Sequence, residues 1–169
     1  GMMVSYIQSN YMGFGSGIVI PGTGISLQNR GNGFSLIDGH PNQVGPNKRP
    51  YHTIIPAFVT KNNQPLMSFG VMGGSMQPQG HVQMITRIFD YHQNPQAAID
   101  APRWRVMQGM KVNFEPEFDI KLLKNLAQKG HETLTGHYFE FGGAQIIYKF
   151  EDGYLAASDP RKDGQAVGF

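Results

Sequence analysis

The chain has 169 residues, 40% hydrophobic and 15% charged, the balance of a globular fold with a sizeable core and not of a disordered or fibrous chain. A net charge of +2 with scattered basic residues leaves no electrostatic footprint for nucleic acid, and apolar runs such as "GIVI" and "TIIPAFV" fall far short of the roughly 20 residues of a membrane helix. Without cysteine, disulfides, thiolate metal sites and a cysteine nucleophile are excluded.

Gly1 ahead of two methionines reads as a residue left by tag removal, with Met2 as the intended start. From Val4 to Ser9 the residues alternate as a strand with no leading cap or polar tail, so the pattern is expected to begin in mid-element. "NYMGFGSG" then reads as a loop, with Ile18–Ile20 and Ile25–Leu27 as short extended pieces around "PGTG". Residues 34–50 show no apolar period and predict a long irregular stretch, the kind of loop that is functional or wraps a surface. "YHTIIPAFVTKNNQPLMSFGVMG" predicts a hairpin that turns at Lys61–Gln64 through paired asparagines. Within "PQGHVQMITRIFDYHQ", Val82, Ile85, Ile88 or Phe89, and His92 recur at helical spacing and predict one face packed on a sheet. "NPQAAIDAPR" predicts a short helix with Asn94 as N-cap and Pro95 at the first position. "RVMQGMKVNF" is expected to be extended. "EFDIKLLKNLAQKG" predicts an amphipathic helix with an Ile120, Leu123 and Leu126 stripe, stopped by Gly130. "AQIIYKFEDGYLAAS" closes as a hairpin on Asp152–Gly153. Strands, then helices, then strands predict a single α+β layered domain over residues 1–169 with antiparallel sheet.

Gly73–Gly74, in "VMGGSMQPQG", follow a strand and precede a helix. Such a turn can offer backbone N–H groups to a phosphate or an oxyanion, or can simply reverse the chain tightly. The stretch lacks the Lys-Ser/Thr ending of a P-loop and the spacing of a dinucleotide site. His40, His52, His81, His92, His131 and His137 include no H-E-x-x-H, no metal is expected, and no G-x-S-x-G elbow marks a serine nucleophile.

Five segments are more informative together: "GFGSGIVIPGTGISLQNRGNGF", "GHPNQVGPNKRPYHTIIPAFVTK", "SFGVMGGSMQPQGHVQM", "NPQAAIDAPRWR" and "AASDPRKDG". In order and spacing the chain resembles the small subunit of γ-glutamyltranspeptidases, and more closely the branch labelled cephalosporin-acylase-like, from about Val4 to Phe169. The resemblance implies an N-terminal-nucleophile hydrolase, a four-layer αββα sandwich made when a precursor cleaves itself into large and small subunits. It implies a new N-terminal threonine that attacks a γ-glutamyl amide, with its own amino group as base, to give an acyl-enzyme resolved by water or an amine. By the same resemblance the chain begins roughly ten residues after that threonine, which explains the mid-pattern start. No cofactor is implied, the large subunit is the missing partner, and the isolated chain is expected to be inactive.

The resemblance implies site residues one by one. Ser9 falls where a second hydroxyl orients the nucleophile, and Gly73 and Gly74 fall on the oxyanion-hole glycines. Arg30 stands at the position of a glutamine, and Gly33 at that of an acid, which together hold a substrate ammonium; His52–Thr53 replace paired serines for a carboxylate, and Tyr11, preceded by Asn10, replaces an asparagine. A cation in place of a neutral group, with the anion lost, is expected to repel an ammonium and welcome a carboxylate. Asp159 and Arg161 are expected to brace the C-terminal segment. The alternative is a non-catalytic remnant that self-associates, or binds a partner, through the surface a large subunit would cover; with that surface open, a homo-oligomer is expected under either reading.

Overall fold

Two asparagines set the first hairpin: Asn62 and Asn63 take φ of 53° and 61°, left-handed values that a two-residue turn needs and asparagine tolerates. β1 (Ala57–Lys61) therefore reverses directly into β2 (Gln64–Met72), with Lys61 opposite Gln64. The structure is a computed structural model in which residues 1–168 are described; Phe169, the last position of the resemblance, lies outside them. The chain divides into two compact units, one formed by Gly1–Tyr6 with Ile55 onward, the other by Ile7–Ile54.

In the first unit β2 pairs antiparallel with β6 (Gly143–Lys149), and β6 with β7 (Tyr154–Ser158), giving the sheet order β1-β2-β6-β7. Alternation sends Met67, Phe69 and Val71 of β2 to one face, where they are buried with Ala144, Ile146 and Ala157. Met84, Ile88, Ala98 and Ile99 cover them from α1 (Met76–Ile85), the π-helical turn Thr86–Asp90 that extends it, and α2 (Pro95–Asp100). The larger of these side chains, the methionines, isoleucines, Phe69 and Val71, contribute about 1.5–3 kcal/mol each on burial. The opposite sheet face leaves Phe58, Met72 and Ile147 about 45% exposed and Tyr154 more so.

The expected α1 face is corrected. Val82 is exposed, and the buried residues are Met76, Gln77, Gly80, Gln83 and Met84. The reason is close approach: a Cβ on Gly80 would lie 2.6 Å from Val71 Cγ1, so the glycine, not the valine, faces the sheet. The π turn then shifts the helical phase before His92, whose φ of 53° ends it.

α2 starts as predicted, with Asn94 Oδ1 accepting the Gln96 N–H at 2.9 Å and Pro95 at the first position. β3 (Trp104–Gln108) and β4 (Lys111–Phe114) form a hairpin, and α3 (Ile120–Gln128) carries the chain to β5 (Glu132–Thr135), which pairs parallel with β4. That parallel pair departs from the all-antiparallel expectation, because a connection long enough to hold a helix lets the chain return in the same direction. Leu123 and Leu126 are half-buried, while Ile120, the third residue of the expected stripe, is exposed.

Val4–Ser9 is not a strand. Val4–Tyr6 has no place in the sheet ladder: Ser5 Oγ accepts the Ala57 N–H (3.2 Å) and donates to Phe69 O (3.0 Å), while Ser68 Oγ donates to Val4 O (2.8 Å). Serine hydroxyls attach the segment where backbone bonds would otherwise be needed.

A buried charge cluster ties the C-terminal segment down. Asp159 Oδ2 accepts from Arg103 (2.5 Å) and the Ala144 N–H (2.7 Å), and Oδ1 from the Arg161 N–H (2.9 Å) and guanidinium (3.2 Å). Arg161 also grips Glu115 through two bonds of 2.6 Å. Burial alone would raise the Asp159 carboxyl, but the Arg103 guanidinium and the Ala144 and Arg161 N–H groups outweigh it and hold it below its ordinary range. The bracing role expected for Asp159 and Arg161 is what these bonds perform.

In the second unit, Ile20 N–H donates to Ile25 O and Leu27 N–H to Ile18 O around the "PGTG" turn, the two short extended pieces predicted there. Residues 34–50 are irregular apart from a bridge between Ser35 and Gln43.

Candidate functional site

The Gly73–Gly74 turn is built from close approach. Gly73 has φ 131° and Gly74 φ 59°; a Cβ on Gly73 would sit 3.0 Å from Gly142 Cα and 3.2 Å from Met76 Cβ. Gly142 is itself at φ 73°, with no room for a Cβ, which would fall 2.1 Å from Met72 O. Arg103 donates to Phe141 O and Asp159 accepts from Ala144 N, so the buried charge cluster clasps both ends of Gly142–Gly143, the floor on which Gly73 rests.

Both glycine carbonyls turn into α1: Gly73 O accepts the Met76 N–H, and Gly74 O accepts the backbone and side-chain N–H groups of Gln77, each at 3.1 Å. In a trans peptide the N–H points opposite to the preceding carbonyl, so the Gly74 N–H is directed away from the helix. The Gly73 and Gly74 N–H groups donate to no acceptor among the described residues. Two unused donors at the start of a ten-residue helix favour negative charge, whether on a phosphate or on an oxyanion. Arg105 stands beside them: its guanidinium donates to Ser75 Oγ at 2.9 Å and to Glu140 O. Sequence reasoning missed Arg105, since nothing in "APRWR" signals a contact thirty positions upstream.

Within the second unit Arg30, in the 3-10 turn Arg30–Gly33, bonds to two of the expected residues, Thr53 and Ser9. Its Nε donates to Thr53 Oγ1 (2.9 Å), and its two terminal nitrogens to Ser9 O (3.0 Å) and Ser9 Oγ (2.6 Å). Ser9 Oγ also accepts the Tyr11 N–H at 3.3 Å, through a Tyr11 backbone at φ 79°, a region non-glycine residues seldom occupy. Asn10 joins through its carbonyl, which accepts the Asn29 N–H, and Asn29 Oδ1 accepts the Met12 N–H. His52 is not gathered in; its exposed ring packs on Tyr51, centroids 4.8 Å apart. Gly33 contributes only its carbonyl, to Asn42.

The gamma-glutamyltranspeptidase family model matches residues 1–169. The chain is 42% identical, over 99% of its length, to the glutathione hydrolase-like YwrD proenzyme of Bacillus subtilis (strain 168). It is 37% identical over its whole length to the oxamate amidohydrolase proenzyme of Klebsiella pneumoniae. It spans about a third of both relatives (34% in each). A crystal structure of cephalosporin acylase from Bacillus halodurans superposes with a TM-score of 0.91 at 52% identity, covering 96% of this chain and 31% of that one. The fold is accordingly part of the α+β architecture of the N-terminal-nucleophile hydrolases. With a match along the whole sequence and glycine turns at the expected positions, the chain belongs to the gamma-glutamyltranspeptidase family.

Proposed function

We propose that these residues form the small-subunit part of an amidohydrolase or acyltransferase, and that the Gly73 and Gly74 N–H groups stabilise the oxyanion of its tetrahedral intermediate. The observation that carries this reading is the pair of unpartnered N–H groups at the start of α1. A hydroxyl nucleophile from chain outside these residues adds to the amide carbonyl; the C–N bond breaks, the amine leaves with a proton, and water or a second amine resolves the ester. Ser9 orients the attacking group. The 169 residues alone are inactive, because no step can begin without that nucleophile. The substrate is a small amide, and the oxamate named for the Klebsiella relative is one example of the class.

The exposed sheet face around Phe58, Met72 and Ile147 supports a second reading, that this surface meets the large-subunit region or a second copy of the chain. For the first reading the test is Gly74→Ala in the chain extended through the rest of its reading frame. The new Cβ meets nothing within 4 Å, but φ 59° strains an alanine and turns the donor aside. kcat for an acyl p-nitroanilide should fall ~100-fold with little change in KM. An unchanged kcat would remove these glycines from the reaction.

A further inference from the structure

Val82, turned out of the core, forms one wall of a pocket of about 350 Å3 between the π-helical turn Thr86–Asp90 and β3. Tyr91 and Trp104 complete its apolar lining, and Gln83, Thr86, Arg87 and Gln93 supply the polar groups. Its size falls within the roughly 300–1,000 Å3 of small-molecule sites. The walls are held in place. Gln83 grips the Trp104 backbone twice, donating to its carbonyl (2.9 Å) and accepting its N–H (3.1 Å). Arg87 donates to Pro102 O (2.9 Å) and to Gln93 Oε1 (3.3 Å). The Gln93 N–H donates back to Arg87 O across His92, whose φ of 53° non-glycine residues seldom adopt. π turns and left-handed residues of this kind recur at functional sites.

The charge in this pocket is unbalanced. No aspartate or glutamate lines it, and among the described residues Arg87 makes no ion pair; Glu115 and Asp159 are taken up by Arg103 and Arg161. Both oxygens that Arg87 binds are neutral carbonyls, and a guanidinium has five N–H donors, so three remain. Burial, and then the charge of Arg161, lower the Arg87 pKa, which makes an anion a welcome neighbour. The other polar groups agree. The Gln93 amide gives its oxygen to Arg87, and neither its NH2 nor the Trp104 indole N–H has an acceptor among the described residues. A carboxylate takes two parallel N–H bonds from one edge of a guanidinium, and its single charge equals that of Arg87. An aromatic body matches the Tyr91 and Trp104 rings.

We infer that Arg87, Tyr91 and Trp104 form a binding site for a small aromatic carboxylate, sharing no residue with the Gly73–Gly74 turn. Trp104 is the single tryptophan of the chain, so its fluorescence reports on this pocket directly. The test titrates the 169-residue chain with phenylacetate, its neutral counterpart phenylacetamide, acetate and inorganic phosphate. Phenylacetate should change the Trp104 emission saturably, with a Kd on the order of 1 mM for a ligand of its size. Phenylacetamide, acetate and phosphate should each bind at least tenfold more weakly. Arg87→Gln should weaken phenylacetate at least tenfold. Val82→Glu, at an exposed helical position that tolerates the change, should do the same by adding a carboxylate to the lining. Should Arg87→Gln fail to fold, Val82→Glu decides alone. Equal binding of phenylacetamide or acetate, tighter binding of phosphate, phenylacetate binding that survives either folded variant, or no saturable change at all would overturn the site. None of these readouts involves amide turnover, so the proposed function stands or falls separately.

Discussion

Replacing Asp159 by asparagine keeps the shape of the side chain and removes its charge. All four hydrogen bonds of the Asp159 carboxylate are accepted from N–H donors: Arg103 and Ala144 on one oxygen, and two groups of Arg161 on the other. An amide has one oxygen, so in either orientation its NH2 faces two donors and two bonds are lost. Arg103, whose side chain is fully buried, loses the one ion-pair partner it has among the described residues. Breaking a buried pair from one side costs about 3–5 kcal/mol, a large share of the 5–15 kcal/mol that roughly bounds domain stability. With a urea slope near 2 kcal/mol/M, the Asp159→Asn midpoint should lie about 2 M below the parent. The deficit should depend on pH. The folded carboxyl is held below its ordinary 3.8, so its contribution is complete above that value and is lost as pH falls through the lower folded pKa. The two proteins should converge in acid. Arg103→Met should cost less than Asp159→Asn, since Asp159 would keep Arg161. A midpoint shift worth under about 1 kcal/mol at neutral pH would refute the view that this cluster holds the Gly142 floor.

Three further changes probe the same framework. Gly142→Ala puts a Cβ 2.1 Å from Met72 O at φ 73°, where a backbone atom cannot yield, and should cost at least ~2 kcal/mol by urea unfolding. Gly80→Ala should destabilise by about 1 kcal/mol, because crowding against Val71 Cγ1 at 2.6 Å outweighs the helix propensity gained. His81 Nε2 accepts the Val71 N–H at 2.9 Å, which requires the unprotonated ring, and burial holds its pKa below the ordinary 6.5. The unfolded chain therefore takes up the proton first, and stability present above about pH 6.5 should fall as pH drops. His81→Gln should flatten that slope in thermal melts; an unchanged slope would exclude His81 as its source.

What the sequence revealed follows how local the cause was. The Asn62–Asn63 turn, the Asn94 cap and the Gly130 stop act within a few residues, and the elements they bound appear where predicted. The sheet-facing side of α1 depended on a distant fit, Gly80 against Val71, which turned Val82 outward while Ile85, Ile88 and Phe89 still pack on the core. The parallel β4–β5 pair and the serine-hooked Val4–Tyr6 segment likewise arise from partners remote in sequence. At the site, Gly73–Gly74 were legible as a strand-to-helix turn. Ser9, Arg30 and Thr53 were legible only as separate positions, and their union required bonds across more than twenty residues. Arg105 left no signal, because an arginine in an extended segment looks the same whether or not it reaches the start of a helix.

Amide hydrolysis compared between the 169-residue chain and the same chain extended through the rest of its reading frame tests the central claim most directly. The account predicts no turnover of an acyl p-nitroanilide by the 169 residues and measurable turnover by the extended protein. Turnover by the shorter chain in proportion to its concentration, abolished by Ser9→Ala, would contradict it.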